Sequence, residues 1–276
     1  MKSKKGTITI RIILICALCV MLFSAYKLWQ TRQMYQEGDA SYAQLITLVR
    51  KTPPPVSTGA TVTPQMSAKA SFTPKNPQVD VPKIHIDFDA LKKINPDAAA
   101  WLYLPDSPID YPIMRADDYS WYLNHLADGT RNANGTLFLD YNCPQDFSGA
   151  LSVVYGHNMK SDKMFGSLDE YKKQPYYEEH PYMYLYTADG GNYRINLLYG
   201  CVVGANQWRE RAFMFEANLP ALLTYAQHNT TFVADEEYTE LDRFVVLSTC
   251  SYEFDDARYI LIGKLVPEYA QTVVEE

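Results

Sequence analysis

The first pattern along the chain is an unbroken apolar run. Ile12 to Tyr26 carries no charge, while Lys2, Lys4, Lys5 and Arg11 precede it and Lys27 follows. The run is shorter than the roughly 20 residues that cross a bilayer. Ile8, Ile10, Leu28 and Trp29 extend it when Arg11 and Lys27 snorkel towards the interface. A membrane-spanning helix is therefore predicted. Phe23-Ser24-Ala25 and Leu22-Phe23-Ser24 each place a bulky residue where a cleavage site needs small ones, which favours an uncleaved anchor over a cleaved signal peptide. Basic residues before the span keep the N-terminus in the cytosol, so residues 1–30 read as basic tip and anchor. Beyond them Leu45, Ile46, Leu48 and Val49 suit a membrane-proximal helix that Pro53-Pro54-Pro55 ends. Residues 52–82 are rich in Pro, Thr and Ser with few large apolar side chains, the composition of an extended stalk.

From Ile84 the pattern changes to short apolar runs. Phe88 to Ile94 predicts a helix stopped by Asn95-Pro96. Ala98 to Leu104 predicts a helical turn running into a strand. Ile109 to Met114 predicts an edge strand, where Pro112 is tolerated, and Asp118 to Leu126 a helical or loop turn. Thr136–Asp140 and Leu151–Gly156 read as strands. Tyr182–Tyr186 and Tyr193–Tyr199 flank Asp189-Gly190-Gly191, a hairpin signal. Phe213 to His228 sets Leu219, Leu222, Leu223 and Ala226 at helical spacing, and Arg243–Leu247 and Tyr259–Val266 form a final strand pair. Many short strands with one helix inserted before the last two predict a mostly β, mixed barrel with flanking helices over residues 83–276.

Charge narrows the function. Residues 51–276 hold 18 Lys and Arg against 30 Asp and Glu, and an acidic domain without basic clusters argues against nucleic acid as a partner. No C-x-x-C or H-E-x-x-H spacing occurs, so neither a metal nor another cofactor is expected. Cys16 and Cys19 fall in the anchor. Cys143 and Cys201 read as buried free thiols in preference to a bridge. Cys250 differs: it ends the strand-like run Val245-Val246-Leu247-Ser248-Thr249-Cys250, and Arg258 opens the next apolar run. Two antiparallel neighbours bring those ends together, and a fixed cation favours thiolate. The plainer reading of Arg258 pairs it with Asp255 or Asp256. A nucleophilic cysteine needs a proton-transfer partner. His85, His125, His180 and His228 read as surface residues, whereas His157 follows the strand Val153–Gly156 and reaches a strand end, as Cys250 does. The tyrosines at 176, 177, 182, 184 and 186 read as packing more than as a peptide groove.

Leu247-Ser248-Thr249-Cys250 with Arg258, together with Tyr155-Gly156-His157-Asn158, resembles the signature of the sortases, membrane-anchored cysteine transpeptidases of Gram-positive bacterial surfaces. The helix inserted around 215–228, the N-terminal helix before the barrel and Ser251-Tyr252-Glu253-Phe254 are more similar to class B than to class A. The resemblance covers about residues 85–267. It implies an eight-stranded β-barrel, with Cys250 as nucleophile, His157 as general acid/base and Arg258 as stabiliser of the substrate carbonyl or oxyanion. Ser248, Thr249 and Ser251 would lie along the substrate groove. Some class B members place the arginine ten residues after the cysteine, whereas here the interval is eight. It further implies surface-protein substrates with a C-terminal sorting motif, cut after Thr, and a peptidoglycan or pilin amine as acceptor. The anchor would contact membrane lipid, with the catalytic domain outside the cell. Reference pKa values of about 8.5 for the thiol and about 6.5 for imidazole leave both mainly neutral at pH 7, so slow turnover and a bell-shaped pH profile are expected. The competing readings are a cysteine endopeptidase without transfer and a stalked binding module with an inert thiol.

Overall fold

A single helix, α1, runs from Lys4 to Val49, roughly 70 Å at 1.5 Å per residue. The computed structural model describes residues 4–51, 84–115, 117–210 and 216–268. The segment read as a stalk and the predicted helix start at 213–215 lie outside the described residues. The first half of α1 presents Ile12 to Trp29 as exposed apolar side chains and is long and apolar enough to cross a membrane. Its last turns behave differently. Tyr42, Leu45 and Val49, on one helical stripe, are buried in the same hydrophobic core as the residues that follow 84.

The chain then adds a short ladder. β1 (Arg50–Lys51) pairs antiparallel with β2 (His85–Ile86), and Asp87 N donates to Val49 O at 2.7 Å. Asp87 also caps α2 (Phe88–Ile94), its Oδ1 accepting from Ala90 N at 2.9 Å, which satisfies one orphan donor of the first turn. Arg50 bonds Asp110, and Asp110 Oδ1 accepts from the indole of the buried Trp101 at 2.7 Å. The end of α1 is thus tied to the barrel wall by packing and by charge.

The barrel strands are β3 (Ala98–Tyr103), β4 (Asp110–Arg115), β5 (Leu137–Leu139), β6 (Leu151–Tyr155), β7 (Tyr182–Thr187), β8 (Asn192–Gly204), β9 (Phe244–Cys250) and β10 (Ala257–Pro267). They close in the order β10-β8-β7-β3-β4-β5-β6-β9, with β9 returning to β10. Neighbours are antiparallel except β4 with β5 and β6 with β9. Closure leaves no sheet edge in the barrel, and the central residues of the strands are buried on both faces. α3 (Gln174–Glu179), α4 (Ala205–Glu210) and α5 (Leu219–Asn229) complete the α-helices among the described residues. α5 is the inserted helix, and it buries Leu222, Leu223 and Ala226.

Two local expectations change. Ala98 to Tyr103 is strand throughout, without the helical turn. β4 is not at an edge, because it pairs with β3 and β5. Pro112 is accommodated for a related reason: β5 meets β4 only from Ile113 to Arg115, so Pro112 faces a ladder partner on the β3 side alone.

Candidate active site

The topology brings three strand ends to one barrel mouth. β6 runs parallel to β9 with Tyr155 opposite Ser248, and two residues further along each chain come His157 and Cys250. On the other flank of β9, β10 sets Arg258 directly opposite Cys250. The cysteine therefore sits between the histidine and the arginine. All three line a cavity of about 520 Å³, together with Ser248 and Thr249.

Backbone and side-chain hydrogen bonds continue the stitching where the β6–β9 ladder ends. Gly156 N donates to Ser248 O at 3.2 Å, and Thr249 Oγ1 donates to Gly156 O at 2.7 Å. Asn158 Nδ2 donates to Cys250 O at 2.8 Å and to Asp169 Oδ2 at 3.0 Å. Asp169 also accepts from Lys172 at 2.7 Å, and Lys172 reaches Glu253 at 2.6 Å. The turn after Cys250 is therefore held on the 3-10 helix Gly166–Lys172.

The three groups differ in surroundings. Cys250 is exposed at the cavity mouth. Cys143 and Cys201 are free and buried, and burial pushes their thiols up to about 11 and about 12. His157 is half-buried, with Nε2 2.7 Å from Leu123 O. A carbonyl only accepts, so Nε2 carries the proton and Nδ1 is the nitrogen left to exchange one. Arg258 Nη1 donates to Ala257 O at 2.9 Å. Among the described residues Arg258 forms no ion pair, with Asp255 and Asp256 or any other carboxylate.

No family model matches the chain. Sortase B of Listeria monocytogenes is 28% identical over 203 residues, covering 72% of this chain and 82% of that protein. The structure of Clostridium perfringens sortase B superposes with a TM-score of 0.59 at 26% identity, over 64% of this chain and 98% of the other. A Bacillus anthracis protein similar to sortase B gives a TM-score of 0.60 at 27% identity, over 67% and 85%. In sequence and in fold the chain is similar to sortase B enzymes.

Within this sortase-type barrel, four of the five residues singled out beside the histidine share the cavity: Cys250, Arg258, Ser248 and Thr249. Ser251 does not line it. Its buried hydroxyl is 2.9 Å from Lys172 Nζ and bonds Glu253. The tyrosines at 176 to 186 do not line it either. Tyr177 stacks on Phe232 at 4.3 Å, and Tyr184 and Tyr186 are core. The aromatic wall comes instead from Tyr119, Phe138 and Tyr155. The hydroxyls of Tyr119 and Tyr155 donate to Asp140 Oδ2 at 3.0 and 2.9 Å, and burial together with that carboxylate drives both phenol pKa values upward. The only sequence signal for this wall was a phenol beside the Gly156-His157 turn. Trp208 of α4 also faces the cavity.

Proposed function

We propose that the chain is a membrane-anchored enzyme of Gram-positive bacteria that cuts surface proteins after the Thr of a C-terminal sorting motif. It joins the new acyl end to a peptidoglycan or pilin amine. The observation that carries this reading is Cys250 placed between His157 and Arg258 on one cavity. The thiolate Sγ of Cys250 attacks the scissile carbonyl carbon, and Arg258 stabilises the negative oxygen that forms. The C–N bond then breaks as the His157 imidazolium passes its Nδ1 proton to the leaving amine, and a thioester remains. The acceptor amine attacks that carbon and gives a proton back to His157, and the thiolate departs. Ser248 and Thr249 flank the peptide beside the thiol, while Ser251 shapes the turn behind it.

Residues 1–30 then serve as basic tip and anchor with the N-terminus in the cytosol. Residues 31–82 are the membrane-proximal helix and linker, and 83–276 form the extracellular catalytic domain. The exposed apolar stretch that ends at Trp29 supports the first boundary. The test uses the full chain in detergent with peptides bearing sorting motifs. Cleavage is expected, an added amine should convert the acid product to amide, and Cys250→Ala should abolish both. Free acid at every amine concentration would favour the endopeptidase, and unchanged cleavage by Cys250→Ala would remove the thiol from the chemistry.

A further inference from the structure

We propose that Tyr42, in the membrane-proximal half of α1, is a positioning residue for His157, so that the anchor helix forms part of the active site. The inference rests on the reading of His157 as proton carrier. Tyr42 is buried, and its hydroxyl donates to Gly135 O at 2.6 Å and lies 2.7 Å from Thr136 Oγ1. Thr136 in turn bonds the segment that faces the imidazole. Its N donates to Tyr122 O at 2.9 Å and its Oγ1 to His125 O at 2.8 Å. Between those two acceptors lies Leu123, whose carbonyl receives the His157 Nε2 proton.

Gly135 closes the connection. It adopts φ +60°, and a Cβ there would stand 2.6 Å from Tyr122 O, 3.0 Å from Leu123 O and 3.1 Å from His157 Cδ2. Only a glycine can pack its backbone so closely against the imidazole and the carbonyl that orients it. The phenol of α1 thus fixes one side of a two-residue wedge whose other side touches His157. The same loop grips the helix twice more: Asn132 Nδ2 donates to Met34 O at 2.7 Å, and Asn134 Nδ2 to Tyr35 O at 3.3 Å. Lys163 pairs with Asp39 at 2.5 Å, from the segment that follows His157. Val49 pins the helix below this contact. Without the phenol hydroxyl, the Gly135 carbonyl loses a buried donor and the wedge is free to move away from the imidazole.

The test compares Tyr42→Phe with Leu45→Ala, a core substitution on the same helix that leaves the phenol bond intact. Both are made in the full chain and assayed in detergent at a temperature where each is folded. A displacement of about 1 Å costs on the order of 100-fold in rate, so a smaller tilt of the imidazole should lower kcat about tenfold in Tyr42→Phe with KM unchanged. Proton NMR should show faster solvent exchange of the His157 Nε2 proton in that variant. Leu45→Ala should change neither readout. Unchanged kcat and exchange in Tyr42→Phe, or equal losses in both variants, would overturn the proposal. Failure of the underlying reading would show separately, as turnover retained by His157→Ala, while the exchange measurement still decides whether Tyr42 positions the ring.

Discussion

Three cysteines lie beyond α1, and their surroundings separate them. Cys201 sits on β8 opposite Ile260 and Cys143 in the loop after β5, both buried with thiols held protonated by desolvation. Cys250 alone is exposed, and its strand partner is a guanidinium that no described carboxylate neutralises. Arg258 is the informative residue to vary, because its proposed role needs more than charge. Arg258→Lys keeps the cation but loses the planar fork of donors that follows a carbonyl oxygen as it becomes an oxyanion. Losing one such donor set lowers kcat by about 10²-fold. We therefore expect Arg258→Lys to fall by about that factor in kcat, with KM little changed, in steady-state peptide cleavage. A lysine variant as fast as the parent would reduce Arg258 to a charge near the thiol.

At the scale of elements, what holds the site together is the join between β9, the turn after it and the 3-10 helix Gly166–Lys172. Burial pushes the Glu253 carboxyl up, but hydrogen bonds from Lys172 and Ser251 outweigh this and hold it below its ordinary value. Burial likewise opposes the charge on Lys172, yet Asp169 and Glu253 hold its pKa above the usual range. Near the ordinary carboxylate value of about 4.3, the folded chain therefore binds fewer protons than the unfolded chain. The stability this pair contributes is full above that value and is lost as pH falls through the lower, folded one. In thermal melts below about pH 4.5, the parent should lose melting temperature more steeply than Glu253→Gln, and parallel slopes would remove Glu253 from the account. None of this join was legible in the sequence, because Asn158, Asp169 and Lys172 become neighbours of Cys250 only through the parallel β6–β9 pairing. The strands themselves were legible as apolar runs. The closure that removes β4 from an edge was not, since it depends on the short β5 returning alongside β4 from a long loop. Cys250, His157 and Arg258 were readable because each stands where an apolar run stops or starts. Tyr119 was not, because it lies in a polar loop and meets Tyr155, edge to face at 5.9 Å and through the shared Asp140, only once the chain is folded.

For the whole molecule, the question is where the exposed apolar part of α1 stops and the domain begins. Exposure changes along one continuous helix: an unbroken series of apolar side chains faces outward as far as Trp29, and from Tyr42 one stripe of the same helix enters the core. The local pattern could show a helix ahead of Pro53 but not its partner, because the surface it covers is made by residues that follow 84. A fragment beginning at residue 84 therefore keeps every barrel strand and still lacks three core side chains, Tyr42, Leu45 and Val49. Burying a large apolar side chain is worth about 1.5–3 kcal/mol, so their removal should cost roughly 5 kcal/mol. For a domain of this size each kcal/mol moves Tm by about 2–4 °C, which gives a fall of roughly 10–20 °C. A fragment beginning at residue 31, which restores the stripe but omits the apolar span, should recover most of it. Calorimetry on the two fragments makes the comparison without a membrane. Equal melting temperatures would mean that the helix rests on the barrel without stabilising it, and the domain would then begin at its first strand.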